Sequence, residues 1–189
     1  MRLGIYGGSF DPPHLGHLLP VLDAAEQLEL DAVRFVPASI QPLKVGRETA
    51  SAADRLAMTE RLVHGIPGFS LDPAEIGRPG LSFTVDTLAG LAAAVPDAEL
   101  HLLLGADAYA LFDQWREPHR VRSLATIVVM ARDGSPHVAE GRPGVQVLQS
   151  RRVDISSTEL RARVRDGRTI RGFVPDAVAD YIAEHRLYR

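Results

Sequence analysis

Residues 2–17 read Arg2-Leu3-Gly4-Ile5-Tyr6-Gly7-Gly8-Ser9-Phe10-Asp11-Pro12-Pro13-His14-Leu15-Gly16-His17, and the fold class follows from how this stretch changes character along its length. Arg2 to Tyr6 is a short, mostly apolar run halted by Gly7-Gly8, the pattern of a buried strand entering a tight turn. From Leu15 to Leu30 the apolar positions Leu18, Leu19, Val21, Leu22, Ala25 and Leu28 recur with helical spacing. Pro20 falls inside that stretch, so the helix is expected to begin at or just before Pro20, or to kink there. Ala32-Val33-Arg34-Phe35-Val36, closed by Pro37, reads as a second strand. One helix of about 15 residues between two buried strands is the spacing of a βαβ crossover.

The same alternation continues outward. Residues 37–51 form a polar loop with Pro and Gly, long for a compact α/β domain and therefore expected to act as a lid. A helix is expected from Ser51 or Ala52 to about His64, burying Leu56, Leu62 and Val63 with Thr59 between them and Met58 at the edge. Phe69 to Asp72 reads as a short strand, and Thr84 to Val95 as a helix with Leu88, Leu91 and Ala92 inward. Leu100–Leu104, Thr126–Met130 and Val145–Leu148 read as strands, with helical stretches near 107–114 and 119–124 and a closing helix from Pro175 to His185. Six apolar runs interleaved with helices predict an α/β fold, a mostly parallel sheet with helices on both faces. No repeat or linker divides the chain, so residues 1–189 are expected to form one domain. Strand order is not written in this pattern.

Composition narrows the chemistry. The 189 residues are 46% hydrophobic and 24% charged, with a formal charge of -3 and no cysteine. The absence of cysteine excludes disulfides, thiolate nucleophiles, Cys-ligated zinc and Fe–S clusters. No apolar stretch approaches the ~18 residues of a membrane span, and no secretory h-region opens the chain, so a soluble cytoplasmic protein is expected. Lys44 is the single lysine among 21 basic residues; it is either a solvated loop residue or a compact phosphate partner. Segment 151–171 carries seven arginines and a net charge of +4, leaving -7 on the rest. It is either a solvated face or a dock for a small polyphosphate. The acidic total and the lack of interleaved aromatics argue against nucleic acid as a partner.

Two clusters carry the chemistry. The first is the Gly7-Gly8 to His17 turn, at the carboxyl end of a strand and the start of a helix, where free N–H groups attract anions. His14 and His17 are three apart and so face the same way, which suits donors aimed at phosphate oxygens. A zinc pair would need a third ligand, and none stands nearby; no metal-binding residue is assigned. Neither GxGxxG nor GxxxxGK[ST] fits, so the cradle is neither a dinucleotide fingerprint nor a P-loop. The second cluster is Ile155-Ser156-Ser157-Thr158-Glu159-Leu160-Arg161. Ser156 or Ser157 is a good N-cap, and Arg161 lies one turn in. Two such helix starts suggest one substrate clamped from two sides.

GGSFDPPHLGHL together with ISSTELR resembles the HxGH family of nucleotidyltransferases, and most closely its bacterial nicotinate-nucleotide adenylyltransferases. The resemblance extends through Val36-Pro37 to Lys44, Ser82–Leu88, Leu104–Asp107 with Trp115, and Val174-Pro175 with Leu187-Tyr188, so it runs essentially end to end. It implies a Rossmann-like fold of the nucleotidyltransferase type, with 150–189 as a helical phosphate-clamp and closing segment. It implies adenylyl transfer from ATP to nicotinate mononucleotide, giving nicotinate adenine dinucleotide and pyrophosphate in NAD biosynthesis, with Mg²⁺ carried by the ATP phosphates. Carried over residue by residue, Gly8, Ser9 and Phe10 are the nucleotide-cradling turn, and His14 and His17 sit at the ATP phosphates. Lys44 reaches phosphate. Gly105 and Asp107 lie near the ATP ribose, and Ile155, Ser156, Ser157 and Arg161 form the second clamp. Thr84 holds the pyridine carboxylate, Trp115 faces the ring, and Arg132 is a further phosphate or carboxylate partner.

Without the resemblance, Trp115 reads equally as a core or lid aromatic, Thr84 as the first residue of a helix and Asp107 as a helix cap. One departure stands out. Many members place a histidine before the loop lysine; this chain has Leu43, which cannot donate. The rival functions are transfer to nicotinamide mononucleotide or to phosphopantetheine, and a non-catalytic nucleotide-binding module. A homo-oligomer is left open.

Overall fold

Six strands, β1 (Arg2–Gly8), β2 (Ala32–Pro37), β3 (Phe69–Leu71), β4 (Glu99–Gly105), β5 (Thr126–Ala131) and β6 (Val145–Gln149), form one sheet in the order β3-β2-β1-β4-β5-β6. Every adjacent pair is parallel. The computed structural model describes residues 1–39, 50–78, 80–131 and 143–189. The chain leaves β1 toward β2 and β3, then returns through a helix to β4 on the other side of β1. That reversal opens a crevice beyond the carboxyl ends of β1 and β4, where α/β folds bind ligands.

The strand pleat sends alternate residues to opposite faces, and each face has its own helices. Leu3, Ile5, Leu100, Leu102, Leu104, Ile127 and Val129 pack against α3 (Thr84–Ala94) and α5 (Pro118–Leu124) through Val85, Leu88, Leu91 and Val121. Val33, Phe35, Leu103, Val128 and Met130 pack against α1 (Leu15–Gln27) and α2 (Ala52–Val63) through Leu18, Val21, Ala24, Leu62 and Val63. The sheet is thus covered on both sides, as its near-continuous apolar strands require. Gly4 interrupts β1 for a packing reason: a Cβ there would stand 2.8 Å from Leu30 Cδ1 and 3.2 Å from Val33 Cγ2.

A third core joins α2 to the C-terminal helices α6 (Ser157–Arg165) and α7 (Asp176–Glu184), with Met58 against Leu160, Val178 and Ile182. Tyr181 Oη donates to Asp54 Oδ1 at 2.9 Å on the same seam. The short helix α4 (Ala106–Ala110) and a 3-10 turn at Phe112–Gln114 follow β4.

Two expectations change. Helix α1 starts at Leu15, five residues before Pro20, which is carried inside it. In α2 the buried side chain is Arg55, only 1% exposed, while Leu56 is half-buried and Met58 lies at the centre of a core rather than at an edge. The physical reason is that Arg55 has three carbonyl partners, described below, so its charge is hydrogen-bonded rather than stranded.

Candidate active site

The turn between β1 and α1 is built around Phe10. Its backbone is left-handed (φ 51°), a conformation that costs a non-glycine residue about 1–2 kcal/mol. Its ring is buried between Tyr6, Phe35 and His17, with centroids 5.8, 5.8 and 5.2 Å away. The ring folds back so closely that a Cβ on Gly8 would lie 3.0 Å from it. Phe10 therefore shapes the cradle with its backbone and anchors it with its side chain; the ring itself is core.

His14 caps α1 and is 4% exposed, while His17 is half-buried one turn on. Their rings stack at 3.8 Å with 34° between planes, so the expected common orientation is present. The His14 backbone N–H donates to His17 Nδ1 at 3.2 Å. A neutral imidazole nitrogen that accepts carries no proton, so this hydrogen bond assigns the His17 proton to Nε2. Gly16 between them is a spacing requirement: a Cβ there would stand 2.9 Å from His14 Nδ1 and 3.3 Å from the Ile155 carbonyl oxygen.

That Ile155 contact marks where α6 meets the cradle. Ser156 is the N-cap, its Oγ accepting from Glu159 N at 3.2 Å. Ser157 Oγ donates to the Pro12 carbonyl at 2.8 Å and Arg161 Nη1 to the Asp11 carbonyl at 2.7 Å. Asp11 in turn accepts at Oδ1 from Ala50 N (3.2 Å) and from Tyr188 Oη (2.7 Å). Burial, with the Asp11 carboxylate beside it, pushes the Tyr188 hydroxyl far above its usual range, so it remains a donor. The two helix starts expected from the sequence are thus fastened to one turn.

Within its basic segment, Arg161 bonds a backbone carbonyl rather than a carboxylate. Arg151 is spent on Asp23, Arg152 on Asp154, Arg168 on Asp166, and Arg171 on Asp176 and Asp180. The Arg163 Nε donates to the Thr169 carbonyl. Four of the seven arginines are therefore paired with carboxylates, Asp23, Asp176 and Asp180 lying outside the segment.

Beside the cradle a cavity of about 160 Å³ opens over β1, β2 and β4. Gly8, expected in the nucleotide cradle, and Thr84 and Trp115, expected at the acceptor's pyridine ring, all line it. Trp115 packs on Phe112 (centroids 5.3 Å) and against the core, and it also lines the cavity. Thr84 is the first residue of α3, whose N-cap is Phe83. Gly105 is the N-cap of α4, and Asp107 is exposed in its first turn with no side-chain cap bond, so the reading of Asp107 as a cap has no hydrogen bond behind it. Lys44, Leu43 and Arg132 lie outside the described residues, as does most of the 37–51 segment.

Arg55, Glu75, Arg78, Ser82 and Arg116 also stand at the site, though the sequence did not single them out as site residues. Arg55 donates to the carbonyls of Ser9 (2.8 Å), Ala38 (2.6 Å) and Ser39 (2.7 Å), tying the cradle turn to the end of β2. Ser9 thus enters the site through its backbone. Glu75, 7% exposed, lines the cavity and accepts from the Thr87 hydroxyl at 2.6 Å and from Ser82. Arg78 donates to Thr87 Oγ1 (3.3 Å) and Ser39 N–H to Ser82 Oγ (2.9 Å). Those donors leave each hydroxyl proton for Glu75. Burial nevertheless pushes the Glu75 carboxyl above its usual value, the hydroxyl bonds opposing it. Arg116 follows Trp115 on the cavity wall. The nearest signal for these residues was position: Ser82 lies in the SFTVDTL stretch and Arg116 next to the single tryptophan, while Arg55 gave none.

Comparison with known proteins fits this geometry. A family model described as cytidylyltransferase-like matches residues 5–163. A probable nicotinate-nucleotide adenylyltransferase of Gemmatimonas aurantiaca is 52% identical over an alignment covering 100% of this chain and 93% of its own length. The chain belongs to the nicotinate-nucleotide adenylyltransferase family. A second probable adenylyltransferase, from Thermus thermophilus, is 46% identical with 100% of each chain covered. Among solved structures, the Plasmodium falciparum nicotinic acid mononucleotide adenylyltransferase complexed with NaAD aligns with a TM-score of 0.82 at 20% identity, covering 99% of this chain and 97% of that one. At that identity the likeness is one of fold, and the adenylyltransferase family's Rossmann-like sheet is the sheet described above.

Proposed function

We propose that this protein transfers the adenylyl group of ATP to nicotinate mononucleotide, giving nicotinate adenine dinucleotide and pyrophosphate. The observation that carries the reading is the junction of two helix N-termini, α1 with His14 and His17 and α6 with Arg161, on one turn beside a cavity lined by Thr84 and Trp115. Both the full-length relatives' names and the expected site residues agree with it.

The acceptor's phosphate oxygen attacks the α-phosphorus of ATP; a new P–O bond forms, the bond to the β-phosphate oxygen breaks, and pyrophosphate leaves with the charge. A phosphate with a second pKa near 6 is already ionised at neutral pH, so no general base is required. The protein's work is positioning and charge stabilisation. His17 Nε2–H, His14 and the Arg161 N–H groups not bonded to Asp11 and Thr158 face the phosphates, with Lys44 joining them from its loop. Ile155, Ser156 and Ser157 bring the α6 N-terminus to the nucleotide. Gly105 and Asp107 hold the ribose, Thr84 and the start of α3 the acceptor's carboxylate, and Trp115 its ring. Arg132 is a further anion partner. Segment 150–189 acts as the clamp and closing element of a single domain.

Around the cradle stand imidazole, guanidinium and N–H groups, and the Asp11 carboxylate there already accepts from Ala50 and Tyr188, whereas Mg²⁺ takes oxygen ligands. The residues therefore fit an ion held by the ATP phosphates, which would supply charge neutralisation there when bound.

Pyrophosphate release from ATP and Mg²⁺, run in parallel with nicotinate mononucleotide, nicotinamide mononucleotide and phosphopantetheine, tests the reading. Release strongly favouring the nicotinate acceptor is the expected result. Preference for another acceptor moves the function to a sister transferase, and no release with any of them leaves a nucleotide-binding module.

A further inference from the structure

The acceptor cavity holds a cation that the phosphate chemistry does not use. Arg116 lines it together with Thr84 and Trp115. Its guanidinium lies over the Phe83 ring, 4.7 Å from the centroid, and Phe83 is the residue that caps α3. Its ionic neighbours are distant: Asp86 Oδ2 at 3.7 Å and Glu117 Oε1 at 3.5 Å, both longer than an ordinary hydrogen bond. The side chain is half exposed, so it is placed by stacking rather than by a committed network. The turn that presents it is fixed, since Glu117 is left-handed (φ 51°) and Pro118 opens α5 directly after it.

The other charges here would not welcome an acid. Glu75 lines the same cavity, its carboxylate already taken by Thr87 and Ser82, and Asp86 and Glu117 stand beside the guanidinium. Without Arg116, Glu117 keeps Arg120 at 3.3 Å, and the cation beside Glu75 is Arg78, which is engaged with Thr87. An amide substituent on the acceptor ring brings no charge and could use such a setting; a carboxylate could not.

We propose that Arg116 is a specificity-determining residue, the charge partner that makes this cavity prefer an acceptor ring bearing a carboxylate over one bearing a carboxamide. The inference rests on the adenylyltransferase reading above. On binding, the carboxylate takes the guanidinium fork that Asp86 and Glu117 leave without hydrogen bonds, and the free N–H groups at the start of α3 supply neutral donors to either substituent.

The test compares Arg116→Gln and Arg116→Lys with the unaltered enzyme, following pyrophosphate release at saturating ATP with nicotinate mononucleotide and with nicotinamide mononucleotide. For Arg116→Gln, kcat/KM for the acid is expected to fall about 10- to 100-fold, the range of a lost charge-assisted hydrogen bond, mainly through KM. The value for the amide stays within about threefold, because the same pocket geometry remains. The KM for ATP is unchanged, and Arg116→Lys recovers part of the acid preference. A parallel loss for both acceptors would assign Arg116 to their shared phosphate, or to packing on Phe83, and overturn the inference; so would an unchanged acid-to-amide ratio. Absence of turnover with nicotinate mononucleotide in the unaltered enzyme would instead sink the functional reading itself.

Discussion

Alanine at position 16 separates two effects that usually travel together. Gly16 is the second residue of α1, and replacing a helical glycine by alanine ordinarily stabilises by up to ~1 kcal/mol. Here the new Cβ would sit 2.9 Å from His14 Nδ1, 3.0 Å from His14 Cε1 and 3.3 Å from the Ile155 carbonyl oxygen. The histidine ring is 4% exposed and stacked on His17, and the carbonyl is backbone leading into α6, so neither can retreat cheaply. Overpacking of this kind costs about 1–3 kcal/mol. Set against the helix gain, the net is a loss of about 0–2 kcal/mol, or a Tm lower by up to ~8 °C for a domain of this size. Activity suffers more than stability, because the strain is relieved by moving His14 or by prising α6 from the cradle. Displacements near 1 Å in such groups cost roughly 100-fold in kcat/KM. The internal control is Gly90, in the middle of α3, where a Cβ would meet nothing closer than Arg78 Nη2 at 3.8 Å. Gly90→Ala is expected to raise Tm by about 2–4 °C and leave turnover alone. Thermal melts and pyrophosphate release on both variants decide the matter. A Gly16→Ala enzyme with wild-type kcat/KM would refute the account of why glycine stands between the two histidines.

Removing His17 as alanine is expected to lower kcat/KM by at least ~100-fold; His17→Gln, whose amide can offer a donor near the Nε2 position, should retain more, and equal losses would overturn the proton assignment. Tyr188→Phe deletes the 2.7 Å bond to Asp11 and should lower stability by about 1.5–3 kcal/mol, read from urea melts, since the lost partner serves a buried carboxylate. Acid should destabilise the fold in two stages. Burial holds the His101 imidazole below its ordinary pKa, against the pull of Glu99, so its contribution is complete above about pH 6.5 and is lost as the pH falls through the lower folded value. Asp23, bonded by Arg151, and Asp54, bonded by Ser51 and Tyr181, are held below the carboxylate range; their contributions are complete above about pH 4 and disappear below it. Tm measured against pH should therefore decline first below about pH 6.5, and His101→Gln should flatten that first stage while leaving the second.

What the sequence disclosed and what it hid divide along a physical line. The strand-turn-helix at residues 2–17 was legible because its signals are local: an apolar run, a glycine pair and a helical period each report on neighbours in the chain. The order β3-β2-β1-β4-β5-β6 was not, because adjacency in a parallel sheet is set by which side each crossover takes, and no local pattern records that. Arg55 was not legible for the same reason. Helical periodicity ranks Leu56 as the buried residue, and only the three carbonyls of Ser9, Ala38 and Ser39, brought together by folding, make an arginine the better occupant. The basic segment shows the converse: its +4 sum does not record that Arg151 pairs with Asp23 and Arg171 with Asp176 and Asp180, because a sum over a segment cannot see pairings beyond it.

The same distinction explains how the site is held together. Ser157 and Arg161 both donate to carbonyls of the 11–12 peptide units, and Tyr188 donates to the Asp11 side chain. Arg55 reaches the Ser9 carbonyl two residues earlier. Groups from α2, α6 and the last residues of the chain therefore converge on one short turn whose own sequence looks self-sufficient. A loop carrying left-handed Phe10 would not keep a single shape unaided; the surrounding bonds over-determine it. The geometry of this turn is consequently set by residues from distant parts of the chain. Substitutions at Tyr188 or Arg55, neither of which is assigned a phosphate, should lower transition-state stabilisation along with Tm, whereas exposed changes such as Gly90→Ala should move Tm alone.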